Sequence, residues 1–176
     1  MRRPARSAAL VLFVVLAGLA AVGPAAASDA GLRQLVADAG PVKERVERDV
    51  RSVGTPPTTS VGAAVRHLRR AARIHDRVTR TVGDLRARFV GEAPQTALAD
   101  EGRSLVLDGL LDLRTASARQ ARAARTAAGR LSRARSEAAV RRAARAYERT
   151  GRASARRFER GVATAERGAR LLVIAR

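Results

Sequence analysis

Between Leu113 and Arg176 the chain carries eighteen arginines and only four acids, Glu137, Glu148, Glu159 and Glu166. Ala and Gly make up most of the rest. Arg and Ala favour helix, and the bulky residues that close a core are nearly missing. A helix of this kind has to borrow apolar surface from elsewhere in the chain. On a wheel turning by about 100° per residue, Val140, Ala144, Tyr147, Gly151, Ala155, Phe158, Val162, Ala165 and Ala169 share one face. Arg142, Arg145, Arg149, Arg156, Arg160 and Arg167 lie opposite. Glu137, Glu148 and Glu159 recur every 11 residues, a spacing that keeps one flank in line on a straight helix. Glu137–Arg141, Glu148–Arg152 and Glu166–Arg170 have the favourable i,i+4 order. The spacing predicts a helix over 131–174, joined to its predecessor if Gly129 does not break it. Fraying of the arginine-rich part is the alternative.

Three further helices are predicted upstream. Over 29–53, Leu32, Leu35, Val36, Ala39, Val42, Val46, Val50 and Val53 recur at helical spacing, with Gly40-Pro41 as an interruption. Gly54 to Thr59 holds two prolines and three threonines and reads as a loop. Over 60–92 the stripe is Val61, Val65, Leu68, Ala72, His75, Val78, Val82, Leu85 and Phe89, with Arg66, Arg69, Arg70, Arg73, Arg77 and Arg80 outside it. Its spacing is close to 3.5, that of a left-handed packing seam. Over 95–128 the first half is Leu-rich and acidic, with Asp100, Glu101, Asp108 and Asp112. Beside a basic helix these acids are expected to neutralise part of the Arg charge. The fold expected is all-α: an extended antiparallel bundle with coiled-coil character, or a long helical hairpin, of about four helices.

The N-terminus has the three parts of an export signal in order: Arg2, Arg3 and Arg6, then an apolar run from Ala8 to Val22, then Ala25-Ala26-Ala27 after Gly23-Pro24. This predicts a signal peptide over 1–27 and a helical domain over 28–176, whose C-terminal part, 113–176, is the basic one. An uncleaved anchor over 7–28 is the alternative. Either way the body is expected to be exported, secreted or held at the outer face of the cytoplasmic membrane.

Few residues suggest chemistry. Cys is absent, which excludes disulfides and thiolate chemistry. His67 and His75 are eight apart and share no ligand spacing; His75 lies on the apolar stripe. Asp108 and Asp112 form an i,i+4 pair, too few oxygens for a good cation site. No nucleophile–base set converges in the sequence, so a non-enzymatic protein without cofactor or metal is expected. The Arg face is the functional signal. Guanidinium forks match phosphate and carboxylate, and Arg142, Arg145, Arg149, Arg156, Arg160 and Arg167 are the candidate polyanion-binding residues. The expected partner is an anionic polymer, an anionic lipid surface or an acidic envelope protein. Nucleic acid is disfavoured by export and by the scarcity of aromatic residues for stacking. Two other readings are a structural protein that self-associates into homo-oligomers through Ala-rich helix faces, and a nucleic-acid-binding protein whose N-terminus has been misread. The plain alternative for the Arg face is a solvated surface made basic by GC-rich codons.

Overall fold

The computed structural model describes residues 27–57 and 59–175. It is all-helical: α1 is Ala27–Arg51, α2 is Val61–Gly91, α3 is Ala97–Ser132 and α4 is Glu137–Ile174. The predicted signal segment lies outside the described residues, except for Ala27, on which α1 begins. Among the described residues no helix is long and apolar enough to cross a membrane.

Capping residues mark three of the starts. Ser60, Thr96 and Ser136 each accept a hydrogen bond from the backbone N–H three residues on, at Ala63, Ala99 and Ala139. The break between α3 and α4 therefore falls at Arg133–Ser136 rather than at Gly129, through which α3 runs uninterrupted. Gly40-Pro41 does not split α1 either. Ala37, Gly40 and Pro41 are all exposed, so water can take the carbonyl that Pro41 leaves without a donor. After α1, Gly54 adopts a φ of +63°, a left-handed conformation that favours Gly and turns the chain toward α2.

Each helix runs antiparallel to the next. α3 is central: α2 and α4 flank it and do not meet, while α1 touches both flanks and α3. One end of the bundle, here called proximal, holds the start of α1, the α2–α3 turn and the end of α4. The buried Asp29 side chain ties the first two together, accepting hydrogen bonds from the Gln95 N–H at 2.8 Å and the Thr96 hydroxyl at 3.0 Å. Nearby, Arg33 donates to the Ala175 carbonyl at 2.5 Å. The other end, the distal one, holds the α1–α2 loop and the α3–α4 turn.

α1 is the short member, with 25 residues against 38 in α4. Arg33 sits beside Ala175 and Lys43 beside Glu166; continuing that register, Arg51 ends level with about residue 157 of α4. Beyond that point the bundle has three helices, not four. This corrects the sequence-derived face of α4. Ala144 and Ala155 were expected to be covered but are exposed, because α1 stops before it can shield them. The most buried residues of α4 are instead Ala143, Ser154, Gly161, Gly168 and Leu172.

The core divides accordingly. A proximal cluster packs Leu32, Leu35, Val46, Val78, Val82, Leu85, Phe89, Val106, Leu110, Leu113 and Leu172. A distal cluster is mostly alanine: Ala71, Ala72, Ala124, Ala127, Ala128 and Ala143, with Val65, Leu68 and Leu131.

α3 and α4 meet most closely at four glycines one heptad apart. A Cβ on Gly109 would lie 2.5 Å from both the Ala165 nitrogen and the Gly161 oxygen; one on Gly168 would lie 2.5 Å from the Gly102 oxygen. Here backbone rests on backbone, and no larger residue fits. The same register continues distally through Ala116 opposite Ser154 and Ala123 opposite Tyr147. At Gly151 the nearest neighbour of an added Cβ is the Gln120 side chain at 3.6 Å, so the tight approach belongs to the proximal half.

Candidate functional site

All six arginines predicted as binding residues are exposed. Among the described residues none of the six has a carboxylate within ion-pair distance, whereas their neighbours Arg141, Arg152 and Arg157 pair with Glu137 at 3.3 Å, Glu148 at 3.8 Å and Asp112 at 2.7 Å. Two of the three expected i,i+4 pairs therefore form. The third does not: Glu166 turns instead to Lys43 of α1, at 2.5 Å. Arg142, Arg149 and Arg156 recur every seven residues along α4, a rise of about 10.5 Å per step.

The fold adds residues that the C-terminal segment alone does not contain. After Asp29 the two longest acid-free stretches are residues 50–75 and 113–136. The first covers the start of α2 and the second most of the distal half of α3, and the antiparallel pairing of α2 with α3 brings both to the distal end. Asp76, the first acid after the gap in α2, pairs with Arg125 of α3. Residues 51–75 and 118–153 hold sixteen arginines against Glu137 and Glu148, net +14. The rest of residues 28–176 nets +2, with sixteen basic and fourteen acidic residues. The basic surface is thus one end of the bundle, built from three helices, rather than one helix. The absence of acids between Asp49 and Asp76 was the sequence signal for the α2 contribution.

Two concave places lie on this part of the surface. One, of about 410 Å³, is lined by Ser52, Arg70, Arg73, Ile74, Asp76, Arg77 and Arg80, where α1 ends against α2. Arg77 is engaged there by Asp49 at 3.0 Å. The other, of about 380 Å³, is lined by Arg130, Arg133, Ala134, Ala139, Arg142 and Ala143 at the α3–α4 turn. Both are shallow and open to solvent.

The acids of α3 neutralise less of the Arg charge than their position suggested. Asp112 is taken by Arg157, while Asp100, Glu101 and Asp108 are exposed. His75 is buried, and burial pushes its pKa down, with Asp76 acting weakly the other way. His67 is lowered by partial burial and by Arg70. Tyr147 is raised by burial, opposed by the adjacent Gln120 side chain. Asp38 is lowered by its hydrogen bond from Arg88 and then by that from Gln34. His75 Nδ1, Ser117 Oγ, Gln120 Oε1 and Ser154 Oγ are enclosed without a protein hydrogen-bond partner. They form a polar waist between the two apolar clusters.

Compared with known protein families, curated proteins and solved structures, the chain matches none.

Proposed function

We propose that this is an exported, non-enzymatic helical protein of the cell envelope that docks an anionic partner on its distal end. One observation carries the reading: residues 51–75 and 118–153, gathered toward the distal end, hold sixteen arginines against two glutamates, and the six arginines singled out on α4 include four, Arg142, Arg145, Arg149 and Arg156, at or beside these stretches with no acidic partner among the described residues. Like charges at such density repel and weaken the end that carries them, so neutralisation by a polyanion stabilises both the complex and the fold. Arg160 and Arg167 extend the same surface along α4.

The self-association reading has less surface to work with. The small-residue face of α4 that would mediate it is already filled by α3 at Gly102, Gly109, Gly161 and Gly168. The large apolar residues left exposed, Val61, Val90, Leu111, Val173 and Ile174, are distributed among α2, α3 and α4.

Salt tests the proposal. With about six contacts, affinity for anionic vesicles or an anionic polymer should fall by about a thousandfold between 50 and 200 mM salt, whereas apolar self-association persists as salt rises. Replacing Arg142, Arg145, Arg149, Arg156, Arg160 and Arg167 with Gln should abolish docking and leave helicity nearly unchanged by circular dichroism. If no anionic surface binds even at low salt, the proposal is wrong.

A further inference from the structure

The partner of this end can be narrowed, on the footing that it binds an anion at all. From the way the arginines are distributed we infer that the distal end is shaped for a linear, flexible polyanion that wraps it, rather than for a flat anionic membrane.

Arg66, Arg69, Arg70 and Arg73 are exposed on α2, and Arg142, Arg145, Arg149 and Arg156 are exposed on α4. These helices stand on either side of α3 and do not touch. A rigid plane reaches both rows only along a face that the two helices share. A flexible chain can follow both, crossing at the α3–α4 turn, where Arg130, Arg133 and Arg142 line a concavity of about 380 Å³. Arg142, Arg149 and Arg156 supply a guanidinium about every 10.5 Å along one side, a row that an extended polymer with closer-spaced charges can follow.

Lipid binding also needs something to insert. Peripheral helices that sit in a membrane interface carry Trp, Phe or Leu opposite their basic residues. Over 51–75 and 118–153 the only aromatic residue is Tyr147, and it is half-buried against the distal core. Val61 is the one large hydrophobic residue exposed there. The scarcity of aromatic side chains also removes the stacking platform on which single-stranded nucleic acid is held.

The chain's entry point agrees with this. α1 begins at the proximal end, pinned there by Asp29 and Arg33, and α4 is about 57 Å long. The start of α1 is therefore at the opposite end of the bundle from the arginines.

Binding of residues 28–176 to long-chain inorganic polyphosphate tests the inference, with tripolyphosphate, vesicles containing one-third anionic lipid, and duplex DNA as comparison arms. Two variants are needed: Arg66, Arg69 and Arg73→Gln on α2, and Arg142, Arg149 and Arg156→Gln on α4, each checked for helicity. Wrapping predicts that each variant alone weakens binding to long polyphosphate at least tenfold. Each should also lower the slope of log affinity against log salt by about 2. Tripolyphosphate should bind weakly and respond to neither. Vesicle binding tighter than polyphosphate binding, sensitivity to only one flank, or a preference for DNA would each overturn the inference while leaving anion docking intact. Failure of every arm at low salt would remove the proposed function itself.

Discussion

At the proximal end Leu32, Phe89 and Leu172 are sealed between four helices; at the distal end Ala124, Ala128 and Ala143 are sealed between three. A buried Leu or Phe contributes roughly 1.5–3 kcal/mol, and an Ala offers far less area. Charge runs in the opposite sense, with +14 gathered where the core is thinnest. The proximal half holds the fold and the distal half presents a surface. The proposed binding thus falls on the half with the thinner core.

Four outcomes would break or sharpen that contrast. The largest effect is expected from the proximal core. Phe89→Ala should lower stability by about 3–5 kcal/mol in denaturant unfolding. Leu131→Ala in the distal core should stay near 2 kcal/mol, read as hydrogen-exchange protection lost in the distal parts of α3 and α4 alone. Equal, global losses from both would mean that the two clusters act as one core.

Next comes the glycine seam. Gly→Ala inside a helix ordinarily gains about 0.5–1 kcal/mol. At Gly109 the new methyl would meet backbone at 2.5 Å, so overpacking should win and destabilise by about 1–3 kcal/mol. A stabilising Gly109→Ala would show that the helices are free to separate. Gly129→Ala is the counter-case. Its methyl would meet only the end of the Arg133 side chain at 3.5 Å, and the usual gain of about 0.5–1 kcal/mol should appear as a higher melting temperature.

A smaller effect belongs to pH. Burial holds the pKa of His75 below its ordinary value of about 6.5, so the unfolded chain binds this proton more readily than the folded one. Stability is therefore full above about pH 6.5 and declines as pH falls toward the lowered folded value. Asp38, lowered by Arg88 and Gln34, adds its own loss only as pH falls through the carboxylate range. Melting curves between pH 7 and 5 should show the decline in the native chain and a shallower one in His75→Gln. Parallel curves would mean that the histidine does not titrate with folding.

Most of the helices could be read from residue spacing, because each buries a stripe with a regular period. The stripe of α2 from Val65 to Phe89 is buried as its spacing predicts. Pro41 misled because a proline's missing donor matters only where water cannot replace it. Ala144 and Ala155 misled for a different reason. Their cover depended on where α1 ends relative to α4, a register set by Lys43–Glu166 and Arg33–Ala175 across more than a hundred residues. The candidate site was half visible. Exposure of the six α4 arginines followed from local periodicity, but joining them to Arg66, Arg69, Arg70 and Arg73 required the antiparallel pairing of α2 with α3, which no local pattern encodes.

The seam between α3 and α4 also bears on how this chain can vary in length. Gly102, Gly109 and Ala116 face Gly168, Gly161 and Ser154 at intervals of seven. Removing one heptad from α3 beyond Ser117 and one from α4 ahead of Ser154, with the matching heptad of α2, would shorten the distal arm by about 10.5 Å without shifting the glycine contacts. A matched insertion would lengthen it by the same step. Reach is thereby uncoupled from folding: the arm can be cut or extended in whole heptads while the proximal lock stays in register.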